Sequence, residues 1–155
     1  MGVDVNFTAN NERFNMRVAA YITCKNKVLL QKDDRQTFWN MVGGRAQINE
    51  STDEAIAREI KEELGLDISN GKLMVVAENF FNWQGNNVTE LLFVYHVELN
   101  EVFVEMLEGN RVVDKPEEVL KWFDVKELKN IECKPQLIYD LPKLSKTEIT
   151  HIINK

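Results

Sequence analysis

The sequence predicts an α/β domain in which a mixed β-sheet lies between helices. Segments rich in β-forming residues precede and follow one strongly specified helix, and a weaker helical segment comes near the end of the chain. A sheet with two apolar faces needs a covering layer on each, so this order of elements is typical of an α/β/α sandwich. The 155 residues suffice for one domain, 1–155, with its own core.

Two strands are predicted before the helix. Residues 15–23 (NMRVAAYIT) and 27–32 (KVLLQK) are rich in β-forming side chains and are separated by a turn-forming Lys-Asn pair, which predicts a hairpin. Residues 1–14 are expected to form an irregular arm or an edge strand. A polar loop at 33–37 then leads through an apolar segment to two consecutive glycines, Gly43 and Gly44.

The helix at residues 52–64 is specified at both of its ends. Ser51 is a good N-cap, and Glu54 follows three residues later, which is the spacing of a capping box. Gly65 stands where a C′ glycine belongs, with Leu66 available to fold back on the last turn. At 100° per residue, one side of this helix is apolar and forms the predicted core face: Ile56, Ala57, Ile60 and Leu64.

The chain after the helix alternates strands with short helical segments. Residues 72–82 and 88–99 are predicted strands joined by a hairpin turn at 84–87. A long, partly acidic connection at 101–116 allows one more short strand. The remaining predicted elements are a short strand at 118–123, a short helix at 125–130, a last helix over 135–141 that Pro142 interrupts, and a polar tail at 146–155 for which a helix is one possibility.

Three glutamates of the helix at 52–64 share a second face. Glu59, Glu62 and Glu63 have the spacing i, i+3 and i+4, and we expect Glu62 and Glu63 to face solvent. Like charges so placed destabilise a helix by about 0.2–0.5 kcal/mol per pair, which a bound cation would relieve. Mg²⁺ binds carboxylate oxygens and is the usual ion where phosphates share the site. Taken alone, such a charge run is more often a solvated helix face.

Glycines, charges and aliphatic residues from 44 to 66 form one joint pattern, GRAQINESTDEAIAREIKEELGL. Its fixed positions are filled by Gly44, Glu50, Arg58, Glu59, Glu62, Glu63 and Gly65. At ordinary amino-acid frequencies, the chance of these seven types at one start site is roughly one in a hundred million. The segment resembles the Nudix box, the signature of the Nudix hydrolase family with its MutT-like members. The rest of the chain agrees with the family in the order of its elements.

The resemblance implies the Nudix fold and a reaction on phosphorus. Water would attack a nucleoside diphosphate linked to another moiety and break a phosphoanhydride bond, with Mg²⁺ as cofactor and Mn²⁺ as a possible substitute. The implied metal ligands are Glu59, Glu62, Glu63 and the carbonyl oxygen of Gly43. Arg58 would orient one glutamate through a charge-assisted hydrogen bond, and Glu50 would support the helix or an outer water.

The general base stays open at this point. In some family members it is a glutamate of the motif, for which Glu59 is the first choice here, and in others a glutamate of a later loop. Glu117 and Glu118 are the candidates outside the motif. Their ordinary role, directly after Pro116, is a solvated turn.

Substrate contacts are less well specified than the motif. The candidates are Arg17, Arg35, Trp39, Phe80, Phe81, Trp83 and Glu117. Aromatic faces stack on bases, but a place in the core is the commoner role of an aromatic side chain. Arg17 contacts phosphate or is a surface charge. No proline or tyrosine occurs between Gly65 and Gln84, so the residues that mark ADP-ribose and dinucleoside polyphosphate hydrolases are absent, which favours nucleoside triphosphates or another small diphosphate.

Composition limits the partners and the location. A net charge of −6 argues against a nucleic-acid groove. The resemblance implies a small nucleotide or other diphosphate as partner, with a capped RNA end as the exception, and a homodimer is possible. No apolar run is long enough to span a membrane. We expect no signal peptide in the polar start, and we expect Cys24 and Cys133 to form neither a zinc site nor a redox pair. A cytoplasmic location is expected.

Two other classes share the fold. A non-catalytic nucleotide sensor is disfavoured by the intact set of Arg58 and three glutamates, because modules that lose activity usually lose part of that set. An isopentenyl diphosphate isomerase needs additional cysteine and glutamate chemistry, and neither cysteine lies in a matching motif.

Overall fold

A mixed nine-stranded sheet forms the centre of the computed structural model, which describes residues 2–155. Its strands are β1 (Asn6–Ala9), β2 (Glu12–Cys24), β3 (Lys27–Asp33), β4 (Val42–Arg45), β5 (Lys72–Trp83), β6 (Asn86–Glu98), β7 (Arg111–Val112), β8 (Lys115–Asp124) and β9 (Thr150–Asn154). The helices are α1 (Thr52–Leu64), α2 (Val102–Leu107) and three 3₁₀ helices, Val125–Asn130, Gln136–Tyr139 and Leu141–Lys143.

Strand β2 organises the sheet, whose order is β7-β8-β3-β2-β6-β5-β9. One edge of β2 pairs in parallel with β6 along nearly its whole length. The other edge pairs with β1, β4 and β3 in turn, always antiparallel. Because β4 pairs with the middle of β2, Gly43 is fixed opposite Ala19 and Gly44 opposite Val18.

The two faces of the sheet carry separate hydrophobic clusters. Val18, Ala20 and Ile22 of β2 belong to the cluster that contains the apolar face of α1, while Ala19 and Tyr21 belong to the opposite cluster. The second cluster is completed by residues of the 3₁₀ layer: Leu128, Leu137, Ile138 and Leu141. The predicted α/β class with a mixed sheet is therefore confirmed. One covering layer consists of short 3₁₀ helices.

Helix α1 begins and ends as predicted. The Ser51 hydroxyl accepts from the Glu54 N–H at 3.1 Å, and the Glu54 carboxylate accepts from the Ser51 N–H at 3.0 Å, which completes the capping box. Gly65 has φ 73°, the left-handed conformation that glycine adopts without strain, and its N–H donates to the Lys61 carbonyl. Ile56, Ile60 and Leu64 are buried, as the core face requires, whereas Ala57 is only half-buried and Ala55 is buried instead.

The second half of the chain departs from the prediction in three places. The connection at 101–116 contains α2 and β7, and the strand predicted at 118–123 is part of the longer β8. The predicted last helix is two 3₁₀ helices, and Pro142 lies inside the second. The prediction of a helix in the tail is wrong, because β9 pairs in parallel with β5 and Ile152 packs against the core. β-branched residues at 149–153 suit that edge position.

Within residues 2–155, no helix has the length and apolarity needed to cross a membrane.

Candidate active site

Two glutamates of α1 enter the protein interior. Glu63 is 0% exposed and Glu59 is 7% exposed, whereas Glu62 is exposed. The expectation that Glu63 faces solvent is therefore wrong. Lys115 of β8 and Gly43 of β4 cover this flank of the helix, and a helical wheel does not show which neighbours cover a face.

Glu63 is held at both carboxylate oxygens. The backbone N–H of Gly43 donates to Oε2 at 2.9 Å, and the Lys115 ammonium donates to Oε1 at 2.9 Å. Burial raises the pKa of the Glu63 carboxyl to about 7, although the charge of Lys115 acts in the opposite direction. Burial also raises the pKa of Glu59, with Arg58 opposing it. Two acidic groups are thus kept where water does not solvate their charges.

Each glycine before α1 allows a close approach. A Cβ on Gly43 would lie 2.2 Å from the Val18 carbonyl oxygen, and a Cβ on Gly44 would lie 2.3 Å from Glu59 Oε1. Gly44 therefore leaves the space that the Glu59 carboxylate fills. The Gly43 N–H points to Glu63 and away from β2. In an extended strand the N–H and the carbonyl of one residue point to the same edge, so the Gly43 carbonyl oxygen also points toward Glu63.

Arg58 connects the loop before α1 to the glutamates. Its guanidinium donates to both Glu50 oxygens at 2.6 and 3.0 Å and to the Arg45 carbonyl at 3.0 Å. It also donates to Glu59 Oε1 at 3.0 Å, with Glu62 at 3.3 Å. The hydrogen bonds from Arg58 lower the pKa of Glu50. Glu50 thus anchors Arg58, and Arg58 orients Glu59.

The donor set suits a hard divalent cation but is not arranged around one. Among residues 2–155 there is no group of three or more His, Cys, Asp or Glu side chains positioned to hold a metal. The carboxylates of Glu59 and Glu63 are instead engaged by Arg58 and Lys115. The oxygens still fit Mg²⁺ or Mn²⁺ chemically, because buried carboxylates of like charge lie beside a backbone carbonyl.

A cleft of about 530 Å³ adjoins these residues, because Gly43 and Lys115 line it and both contact Glu63. Its basic lining residues also include Arg13, Arg17, Arg45 and Lys134. Its aromatic lining residues are Phe38, Phe80, Phe81 and Trp83, and its amide lining residues are Asn15, Gln31, Asn40, Asn79, Gln136 and Asn154. Two carboxylates, Glu90 and Glu118, also line it. Cations, ring faces and neutral polar groups therefore meet in one concave site, as a nucleotide requires.

The structure brings part of the predicted substrate set to this cleft. Arg17, Phe80, Phe81 and Trp83 line it. Among the lining residues, Glu118 takes the place expected of Glu117.

Three predicted substrate residues do not line the cleft. Glu117 is exposed beside it. Arg35 is bound to the Asp33 carboxylate at 2.9 and 2.6 Å on an exposed loop. Trp39 packs edge-on against Phe123, with 4.8 Å between ring centroids. Arg35 is therefore held by a local ion pair, and Trp39 is held by its packing against the core.

Several cleft residues were missed from the sequence. Nothing near Lys115 in the sequence marks it, because the β8 strand brings it to Glu63 across 52 positions. Asn15 and Asn79 could have been noticed in the sequence, because each is an amide within an otherwise β-forming segment. Both side chains are buried in the structure. A polar side chain at an inward strand position is expected to have a partner or a ligand.

The fold and the arrangement of α1 against the two glycines define a Nudix domain. The family model described as NUDIX domain matches residues 13–141. The chain therefore belongs to the Nudix hydrolase family.

Curated relatives agree with this assignment. An uncharacterized Nudix hydrolase, YvcI of Bacillus subtilis, is 28% identical over 109 residues, which cover 70% of this chain and 65% of that protein. The 8-oxo-dGTP diphosphatase of Proteus vulgaris is 30% identical over 76 residues, which cover 44% of this chain and 68% of that protein. The CTP pyrophosphohydrolase of Escherichia coli is 36% identical over 59 residues, which cover 36% of this chain and 44% of that protein. The chain thus spans less than two thirds of the length of the first relative.

Solved structures share the fold. The MutT protein from Bacillus halodurans superposes with a TM-score of 0.65 at 22% identity and covers 83% of this chain and 80% of its own. A Nudix family hydrolase from Clostridium perfringens gives a TM-score of 0.59 at 19% identity, and the match covers 83% of this chain and 94% of that one. These likenesses show the fold.

Proposed function

We propose that the protein hydrolyses a phosphoanhydride bond in a nucleoside diphosphate linked to another moiety, with a nucleoside triphosphate as the first candidate substrate. One observation carries the proposal: buried Glu59 and Glu63 meet Gly43 and Gly44 beside a basic, aromatic cleft. Two relatives are named for cleavage of nucleotides, which supports the same substrate class here.

Glu59, Glu62 and Glu63, with the Gly43 carbonyl, would hold Mg²⁺ or Mn²⁺. When bound, the ion neutralises phosphate oxygens and lowers the pKa of a water. The chain supplies the rest of the site. Arg58 is a positioning residue, because it fixes Glu59 and is itself fixed by Glu50.

The phosphates would lie near the arginines of the cleft. Arg13, Arg17 and Arg45 line it, and a guanidinium donates readily to phosphate oxygens. Their positive charge would draw a polyanionic substrate into a chain whose net charge is −6.

Glu118 is the better candidate for a general base outside the motif. It lines the cleft while Glu117 does not, and its Oε2 is buried without a hydrogen-bond partner. Burial raises the pKa of Glu118, which makes its carboxylate a stronger base. Glu59 remains the alternative within the motif, although its carboxylate is bound by Arg58.

A substrate panel tests the proposal. Deoxynucleoside triphosphates, ADP-ribose, NADH, sugar nucleotides and capped RNA would be incubated with Mg²⁺ or Mn²⁺, and released phosphate and pyrophosphate measured. We expect turnover of nucleoside triphosphates that EDTA abolishes. Binding of a nucleotide without release of either product would instead support a non-catalytic binding module.

Variants of the glutamates connect turnover to α1. We expect Glu62→Gln or Glu63→Gln to lower kcat by orders of magnitude, because each removes a charged metal ligand. Glu98→Gln, at an exposed position of β6, is the matched control and should keep full activity. Near-normal turnover in either α1 variant would contradict the ligand assignment.

A homodimer and a cytoplasmic location stay predictions from the sequence. Analytical ultracentrifugation tests the first and cell fractionation tests the second.

A further inference from the structure

Strand β9 leaves one edge of the central sheet open. It is the last strand in the order β7-β8-β3-β2-β6-β5-β9, and its inner edge pairs in parallel with β5. In the part of the chain from residue 2 to residue 155, no strand pairs with its outer edge. Half of the backbone N–H and C=O groups of an edge strand point outward without a ladder partner, so such an edge can accept one more strand.

The features that usually protect an edge strand are missing from β9. Natural edge strands are very short, or they carry charged residues, proline or a bulge. β9 has five residues, THIIN, with no lysine, arginine, acidic residue or proline among them. At the opposite end of the sheet, β7 is only two residues long, and its Arg111 is bound to Asp34 at 2.7 Å. β7 is therefore a protected edge, and β9 is an open one.

Exposed apolar side chains accompany the open edge. Ile153 is 63% exposed, and Ile149, directly before the strand, is 59% exposed. His151 and Ile153 lie on the same face of the sheet, because side chains alternate along a strand. On that face Val76 of β5, the register partner of His151, is half-buried. The edge thus offers apolar surface as well as backbone hydrogen-bonding groups.

The sequence of β9 can pair antiparallel with a second copy of itself. In a two-fold symmetric pair centred on Ile152, this residue would face Ile152 of the second copy. His151 would then face Ile153, and Thr150 would face Asn154. Any other centre leaves residues at one end of the strand unpaired, so this register is the one that uses all five.

No like charges oppose each other in this register. Within β9 the only titratable side chain is that of His151, and it would face the isoleucine at 153. The nearest carboxylate is that of Glu78, which contacts His151 Nε2 of its own chain at 2.6 Å. Three strand spacings, about 14 Å, would separate the two copies of Glu78, which is more than the Debye length of about 10 Å at 0.1 M salt.

A symmetric pair also accounts for both open edges at once. The two outer edges satisfy each other, so the assembly closes as a dimer and exposes no further edge at this end of the sheet. Pairing with itself requires a strand whose opposed side chains are compatible, and THIIN meets this requirement at all five positions.

We propose that the protein forms a two-fold symmetric homodimer in which β9 of one copy pairs antiparallel with β9 of the other, centred on Ile152. The two nine-stranded sheets would then be continuous. Asn154 lines the cleft, so Thr150 of the second copy would lie at the rim of the cleft. This interface is independent of the reaction proposed above.

Sedimentation velocity of the full chain tests the assembly. Samples would run from about 1 μM to about 200 μM, a range that brackets micromolar affinity. We expect twice the mass of the chain at the upper end. Ile153→Lys should raise the dissociation constant at least about a hundredfold, because each dimer loses two apolar contacts.

Ile48→Lys is the matched control. Ile48 is also an exposed isoleucine, 57% accessible, but it lies outside β9, so this variant should dimerise like the wild type. Should Ile153→Lys fail to fold by circular dichroism, Ile149→Lys provides the same test, because it would place an ammonium opposite Lys155 of the second copy.

Hydrogen exchange measured by mass spectrometry assigns the interface to β9. We expect the amides of residues 150–154 to exchange at least about tenfold more slowly at the highest concentration than at the lowest, because pairing protects the outward N–H groups. In Ile153→Lys this difference should disappear.

A protein that sediments as a monomer over the whole range would overturn the proposal. A dimer that Ile153→Lys leaves intact would do the same, as would a dimer in which residues 150–154 exchange equally fast at both concentrations.

Discussion

At the scale of single residues, Glu63 shows most clearly how the site is built. It is fully buried, and its two oxygens accept from one backbone N–H and one ammonium. The unfolded chain solvates a carboxylate freely, and the folded interior does not. This difference makes the stability of the metal-free protein depend on pH.

The sign of that dependence follows from the raised pKa. Between the ordinary glutamate value of 4.5 and about 7, the folded state keeps the Glu63 proton while the unfolded chain loses it. The free energy of unfolding should therefore fall as pH rises through this window. Urea denaturation in EDTA at pH 5 and pH 8 would show it. Glu63→Gln should have a smaller fall, and an unchanged fall in this variant would contradict the burial of the charge.

Gly44 gives a second prediction at this scale. An added Cβ would meet the Glu59 carboxylate at 2.3 Å, so Gly44→Ala should displace that carboxylate and lower both Mn²⁺ affinity and kcat. Gly71→Ala is the control, because its Cβ would find ordinary contacts at 3.5 Å or more. Mn²⁺ titration followed by electron paramagnetic resonance measures the effect. Equal affinities in the two variants would argue against Glu59 as a ligand.

The motif at α1 could be recognised from the sequence, but the surroundings of its residues could not be predicted. The spacing of Arg58 and the three glutamates identified the motif from local sequence. The burial of Glu63 depends on Lys115, which comes from a strand 52 residues away, and no local pattern encodes that contact.

At the scale of elements, α1 is the part of the fold that the chain specifies most completely. Its N-cap, its capping box and its C′ glycine are all local in sequence, and all three form. The ends of the helix therefore owe little to the tertiary structure. The same helix carries the glutamates, so a stable N-terminus keeps them in register with Gly43 and Gly44.

Loss of the cap should be measurable. Ser51→Ala removes the acceptor for the Glu54 N–H and is expected to lower the free energy of unfolding by about 1 kcal/mol. Ser69→Ala, at an exposed position outside the helices and strands, is the matched control and should change little. Urea midpoints for the two variants provide the comparison, and identical midpoints would show that the cap contributes nothing.

The late elements were harder to predict because their conformation depends on neighbours. Residues 150–154 form a strand since the edge of β5 offers backbone groups in the right register. The 3₁₀ helices at 136–143 are too short for a helical period to appear in sequence, and they are held by packing of Leu137, Ile138 and Leu141. Local propensity is weak evidence for such segments.

At the scale of the whole molecule, the sheet gathers distant residues into one cleft. Strands β2, β3, β5 and β8 contribute Asn15, Gln31, Asn79 and Lys115, which are far apart in sequence. Although the net charge of the chain is −6, several arginines and lysines line the cleft. The fold class could be predicted from the order of elements, but the composition of the cleft required the sheet register.

We propose that the acidic face of α1 binds a divalent cation that carries the substrate phosphates. A crystal structure with Mn²⁺ and a non-hydrolysable nucleoside triphosphate, using anomalous scattering to locate manganese, tests it most directly. We predict manganese bound to carboxylate oxygens of Glu59, Glu62 or Glu63, with phosphate oxygens in the same coordination sphere. Bound nucleotide with no manganese at α1 would contradict the claim.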